Sequence, residues 1–214
     1  MHPPFALLVA PEAQPRHSSI MTGDRPTNGL YVVILAAGAA QRFGSPKPLA
    51  ESGGQSLLAH AVSKAQQLVE ERTLVVIGAH RNAIAPPAIA LQTGIAVNTQ
   101  WREGSGSSIA AGVAGLPDSC AAALILHADL LHVTVEQLGQ LTACWSLHTD
   151  SIVASRYADT VGVPVIFPAR CFDALRHLTG DRGARAVLHR DADVLTIPLA
   201  AAARDIDTPA DLDR

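Results

Sequence analysis

Residues 31–36 form a continuous apolar run, the pattern of a strand buried on both faces. Residues 56–68 place Leu57, Leu58, Ala61, Ala65 and Leu68 at helical spacing. Similar short apolar runs follow at Thr73–Ile77, 95–98, Ala122–His127, 152–155, 165–167 and Val194–Pro198. Helical patterns separate most of them, over 109–116, 135–144, 172–178 and 184–188. Strands alternating with helices predict an α/β domain with a mostly parallel sheet covered on both faces.

That alternation begins at Leu30. Before it, Pro3, Pro4, Pro11, Pro15 and Pro26 stand among small polar residues, so residues 1–29 are expected to be a disordered tail, with Met21 a second candidate initiator. The whole chain has 214 residues, so 30–214 fits one domain. The net charge of −3 provides no basic field for a nucleic-acid backbone. No apolar run reaches the ~18 residues of a membrane helix. Residues 5–10 are apolar but lack the charged leader of a signal peptide. Cys120, Cys144 and Cys171 are few and far apart, which favours reduced thiols and a cytoplasmic location over a disulfide framework.

Charge usage singles out one loop. Lys and Arg total 16, yet only Lys47 and Lys64 are lysines, and Lys47 lies in Leu35-Ala36-Ala37-Gly38-Ala39-Ala40-Gln41-Arg42-Phe43-Gly44-Ser45-Pro46-Lys47-Pro48. A loop after the first strand of a parallel sheet lies at the carboxyl edge, where such folds bind ligands. Its small residues allow backbone N–H groups close to phosphate oxygens, and Arg42 and Lys47 add charge that can follow them. Neither the Gly-Lys-Ser/Thr of a Walker loop nor a Gly-x-Gly-x-x-Gly turn is present. An ordinary strand-to-helix connection with a solvated Arg and Lys is the plainer alternative.

Further segments carry chemistry. Asn98-Thr99-Gln100-Trp101-Arg102-Glu103-Gly104-Ser105-Gly106-Ser107-Ser108 ends in a Gly/Ser loop that can offer amides and hydroxyls to a base or ribose, or cap a helix through Ser107 or Ser108. Asp129 follows the central strand in His127-Ala128-Asp129, where a carboxylate can hold Mg2+ or serve as a surface or capping residue. Gly180-Asp181-Arg182-Gly183-Ala184-Arg185 could form a rigid turn with an internal ion pair. In Asp205-Ile206-Asp207-Thr208-Pro209-Ala210-Asp211-Leu212, Thr208 and Pro209 also suit a helix start.

Taken in order, these segments resemble the MobA-like nucleotidyltransferases, and within them the CTP:molybdopterin cytidylyltransferases. The first loop is similar to the family's Leu-Ala-Ala/Gly-Gly-x-Ser-x-Arg-Met-Gly-x-x-Lys, and the second to Asn-x-x-Trp-x-x-Gly-x-x-x-Ser. Residues 180–185 resemble Gly-Asp-x-Gly-Ala-Arg, and 205–212 the closing Asp-x-Asp-Thr-Pro segment. Leu130 and Leu131 depart from the family's Asp-x-Pro turn. The resemblance implies a Rossmann-like three-layer sandwich of the nucleotide-diphospho-sugar transferase type. It implies nucleotide contacts from Leu35, Ala36, Ala37, Gly38, Arg42, Lys47, Gly106, Ser107 and Ser108, with Arg42, Lys47 and Asp129 catalytic. Mg2+ would be held by Asp129 and Asp207, two carboxylates that repel one another unless a cation lies between them.

The implied reaction moves CMP from CTP to the terminal phosphate of molybdopterin and releases pyrophosphate, with a molybdoenzyme or insertion chaperone as further partner. Ala37, where guanylyl-transferring relatives carry Gly, and residues 180–185 favour CTP over GTP. A phosphate monoester is already ionised near neutral pH, so it needs positioning more than a base, consistent with the lack of a Ser-His-Asp or Cys-His set. The alternatives are a GTP-using, sugar-phosphate or methylerythritol-phosphate nucleotidyltransferase, although the Asp-Ala-Ala-Arg-Pro of the last is missing. A non-catalytic nucleotide-binding or cofactor-insertion chaperone is the alternative from another class.

Overall fold

The computed structural model describes residues 29–181 and 183–212, together with the backbone of Phe5–Leu8. In chain order the principal elements are β1 (Phe5–Leu8), β2 (Leu30–Ala36), α1 (Leu57–Val69), β3 (Thr73–Ile77), α2 (Arg81–Ala90), β4 (Gly94–Asn98) and α3 (Ser105–Ala114). Then come β5 (Ala122–His127), α4 (Val135–Leu147), β6 (Ile152–Tyr157), β7 (Thr160–Pro168), α5 (Phe172–Arg176), α6 (Arg185–Leu188) and β8 (Val194–Pro198).

The strands form one sheet of order β1-β4-β3-β2-β5-β7-β6-β8. Strands β4, β3, β2 and β5 run parallel to one another, while β7 runs antiparallel to both of its neighbours. Alternation along β2 divides the core, since successive side chains of a strand face opposite ways. Val32, Ile34 and Ala36 pack with residues of α1, α2 and α4 on one side. Val33, Leu35 and Ala37 pack with α3, α5 and α6 on the other. The result is the expected three-layer α/β sandwich. Ile34 is fully buried, so truncating it to Ala should cost about 2–5 kcal/mol.

Small residues bring α3 close to the sheet. A Cβ on Gly112 would lie 2.5 Å from Val33 Cγ1, so any larger residue there would push the helix off β2.

The structure corrects several expectations. Within residues 1–29, expected to be a disordered tail, Phe5–Leu8 pairs antiparallel with β4. The backbone groups along that sheet edge offer four apolar residues a ladder. Residues 1–4 and 9–28, Met21 among them, lie outside the described residues. Helix α2 was not expected, because Pro86 and Pro87 sit inside it. Proline removes the N–H that would bond the carbonyl four residues back, here Asn82 and Ala83. Both are exposed, so water can satisfy them, while Ile84 and Ala88 bury a stripe one turn apart.

Helix α3 starts at Ser105 rather than 109, with Gly104 as its cap residue, so neither Ser107 nor Ser108 is the N-cap. Among the described residues, no helix is long and apolar enough to cross a membrane.

Candidate active site

The loop after β2 is fixed from three directions. Ala128 N donates to Leu35 O at 3.2 Å, and Ala79 N donates to Ala37 O at 3.0 Å. His80 Nε2 lies 3.0 Å from Ala39 O. A turn with Ala40 at φ 47° then directs Phe43 into a small cluster with Leu57 and Ile206. The Pro46-Lys47-Pro48 corner follows, closed by Leu49 N donating to Pro46 O at 2.8 Å. Prolines on both sides restrict this corner and so aim Lys47 inward.

Lys47 meets both carboxylates. Its Nζ lies 2.5 Å from Asp129 Oδ2 and 3.3 Å from Asp207 Oδ1, and Arg42 Nη2 lies 3.0 Å from Asp207 Oδ2. The Lys47 side chain is only 13% exposed and that of Arg42 75%, so Lys47 works in the less screened environment. Asp129 and Asp207 come together because Ile206, buried beside Phe43, donates its N–H to Asp129 O at 3.3 Å. The helix-start role of Thr208 coexists with this arrangement. Thr208 N and Oγ1 each donate to Asp211 Oδ2 at 2.8 Å, and Asp207 is left to face the basic pair.

These groups border a cavity of 280 Å3. Leu35, Ala36, Ala37, Gly38, Lys47, Ser108 and Asp129 line it, as do Trp101 and His127. Arg42 and Asp207 lie in an adjoining depression that shares Lys47. Gly106 and Ser107 do not line the cavity. The Gly106 N–H donates to Gly180 O at 2.9 Å, and Ser107 Oγ donates to Gly104 O and Gln100 O. Asn98 Nδ2 reaches both Ser107 Oγ and Ser108 Oγ, so these hydroxyls knit the end of β4 to α3.

Two segments distant in sequence therefore dock on each other. Gly104 has φ 108°, and a Cβ there would lie 2.6 Å from the Gly180 carbonyl carbon. A second cavity, of 780 Å3, opens beside this contact and shares Ser105 and His127 with the first. Arg185, His189, Arg190 and Tyr157 line it. Burial raises the Tyr157 phenol above its ordinary value, with Arg185 opposing and Asp205 adding to the shift, so the hydroxyl stays a donor at neutral pH. Sequence reasoning gave no role to Tyr157, His189 or Arg190, because none lies in a recognisable motif. His127 ends β5, and no local sequence pattern encodes its position at both cavities.

This geometry defines a three-layer α/β domain with its polar site at the carboxyl edge of the parallel strands, a fold shared with known structures. More narrowly, residues 32–194 match the MobA-like NTP transferase domain, and the chain belongs to that family. It is 36% identical over 121 residues to the bifunctional protein GlmU of Mycolicibacterium gilvum (strain PYR-GCK), a match covering 52% of this chain and 24% of that protein. Rv0371c from Mycobacterium tuberculosis H37Rv superposes with a TM-score of 0.73 at 23% identity, over 86% of this chain and 97% of that one. A manganese complex of Rv0371c gives 0.69 at 24% identity, over 86% and 96%. Molybdopterin-guanine dinucleotide biosynthesis protein A from Archaeoglobus fulgidus gives 0.67 at 18% identity, over 86% and 95%. At these identities the structures establish the fold alone.

Proposed function

We propose that the protein transfers CMP from CTP to the terminal phosphate of a molybdopterin-type acceptor and releases pyrophosphate. The observation that carries this reading is the Lys47 ammonium between Asp129 and Asp207, beside a cavity formed by the glycine-marked loop. The small residues 35–38 leave room for phosphate oxygens near backbone amides. Lys47 and Arg42 stabilise charge that develops on the α-phosphate and the departing pyrophosphate.

The two aspartates fit a hard divalent cation. Asp129 Oδ1 is buried and has no hydrogen-bond partner, a state that costs free energy unless a cation or donor meets it. Among the described residues no group of three or more His, Cys, Asp or Glu converges here. That sparse oxygen set suits Mg2+, which is commonly held by one or two carboxylates plus water and substrate phosphates. When bound, Mg2+ would supply charge neutralisation on the triphosphate and help hold it in line. Support for a divalent ion also comes from the manganese complex of the fold neighbour Rv0371c.

The acceptor would occupy the larger cavity, where Arg185, Arg190 and His189 suit a phosphate and Tyr157 can donate a hydrogen bond. Its phosphate oxygen attacks the α-phosphorus as the bond to the β-phosphate oxygen breaks. No general base is required, because the attacking oxygen is already ionised. A molybdoenzyme or insertion chaperone would then receive the product. Ala37 and residues 180–185 support CTP as donor.

Pyrophosphate release with each nucleoside triphosphate and a panel of phosphorylated acceptors tests this reading. CTP with molybdopterin should give the highest kcat/KM. An equal or higher value with GTP would overturn the donor assignment, and turnover only with a sugar phosphate would overturn the acceptor.

A further inference from the structure

The second lysine of the chain is not idle. Lys64 lies on the face of α1 opposite the turn that follows Asp129, and its Nζ donates to Leu131 O at 2.7 Å and to Leu130 O at 3.1 Å. The same turn has weak bonds of its own. Leu130 N reaches His127 O, and Val133 N reaches Leu130 O, both at 3.4 Å. The Leu130 side chain enters the core on the α1 side, while Leu131 packs on the separate Phe43, Leu57 and Ile206 cluster. Two neighbouring side chains thus pull towards different clusters, and the ammonium bridges the carbonyls between them.

We propose that Lys64 is a positioning residue for Asp129: by holding the Leu130 and Leu131 carbonyls it fixes the turn that aims the Asp129 carboxylate at Lys47 and at the divalent cation. This rests on the metal reading given above. Lys64 touches neither substrate nor the reacting atoms, so its effect passes through the backbone. Partial burial pushes its pKa down to about 8, which means that the charged form is kept at a cost in stability. A lysine retained for stability alone would be better replaced by an apolar side chain of similar length.

The test compares the full-length wild type with Lys64→Met and Lys64→Arg, using Mn2+ alone as the probe. Lys64→Met should keep its melting temperature, because it fills similar volume and removes a desolvated charge. Its affinity for Mn2+, read by electron paramagnetic resonance without nucleotide, should nevertheless fall about tenfold or more, the scale seen when groups that orient metal ligands are lost. Hydrogen exchange should accelerate at amides 128–133 and not along α1. Lys64→Arg, which can still donate to both carbonyls, should recover much of the affinity.

Mn2+ affinity in Lys64→Met equal to wild type would overturn the proposal and leave the metal reading intact. Loss of affinity accompanied by unfolding, with no recovery in Lys64→Arg, would also overturn it, as a structural role predicts that pattern. Failure of the wild type itself to bind Mn2+ would remove the metal reading, and the positioning role with it.

Discussion

Lys47 Nζ lies 2.5 Å from Asp129 Oδ2, joining the corner after the first parallel strand to the end of the central one. The same ammonium reaches Asp207 Oδ1 at 3.3 Å. It therefore lies where the electrostatics of two converging carboxylates would otherwise call for a metal cation. On the proposed reading, Lys47 and a divalent ion would compete for one pair of aspartates, and nucleotide phosphates would give Lys47 a second partner.

Replacing Lys47 should accordingly separate binding from turnover. Lys47→Met should lose several kcal/mol of transition-state stabilisation, comparable to deletion of other charge-stabilising donors (about 3–4 kcal/mol). In the absence of nucleotide it should bind Mn2+ more tightly than wild type, since one competing charge has left. Calorimetric titration with Mn2+ checks the second point, and unchanged affinity would show that the ammonium and the metal do not share the aspartates.

The aspartates should behave as a unit. Asp129→Asn and Asp207→Asn should each reduce kcat by about a hundredfold or more, the scale of losing charge stabilisation at the reacting group. The double variant should be little worse than Asp129→Asn alone, because groups that share one task are not additive. Asp207 is the more exposed of the two, at 37% against 20% for its side chain, so its replacement should be the milder. Full additivity in steady-state kinetics would show two independent roles. In the free protein neither substitution should raise the melting temperature by relieving repulsion, since Lys47 and Arg42 already neutralise the pair.

Gly104 should tolerate no side chain. A residue there must adopt φ 108° and would also drive a Cβ to 2.6 Å from the Gly180 carbonyl carbon. Gly104→Ala should cost about 1–3 kcal/mol for the backbone conformation alone and more for the clash. Gly53→Ala provides the contrast, with φ 60° but open space around the Cβ, and should cost only about 1–2 kcal/mol. Urea melts of the two variants decide between them. Equal losses would show that the 104–180 contact carries no constraint.

Sequence pattern went far with the fold because continuous apolar runs and helical spacing report burial directly. Strands Thr73–Ile77, Ala122–His127 and Val194–Pro198 occur with the bounds the pattern suggests. Helix α2 was hidden by its paired prolines, whose cost is met by exposed carbonyls rather than by sequence-local features. At the site, the small-residue loop and Lys47 were legible from spacing and from the scarcity of lysine. The structure brings Arg42, Lys47, Asp129 and Asp207 together, sets Gly106 against residues 179–180, and has the Ser107 hydroxyl join the end of β4 to the start of α3. The Gly106 placement depends on a contact between distant segments, which no local pattern encodes. The Leu130-Leu131 departure is likewise explained only by packing, since each side chain enters a different cluster.

Lys64 gives a pH dependence whose sign is fixed. Burial lowers its pKa from 10.5 to about 8, so between those values the unfolded chain holds the proton more tightly than the folded one. Stability from this group therefore rises as pH climbs through 8 towards 10.5 and is lowest below 8. Chemical unfolding of wild type and Lys64→Met across this range should show wild type gaining on the variant as pH rises. Parallel curves would show that Lys64 is not desolvated.

Transfer of label from the donor tests the central claim most directly. With CTP labelled at the α-phosphate, Mg2+ and molybdopterin, the label should appear in the acceptor, with one pyrophosphate released per transfer, and Asp129→Asn should abolish both. Label remaining in CTP or emerging as free CMP, or transfer by Asp129→Asn at the wild-type rate, would contradict nucleotidyl transfer at this site.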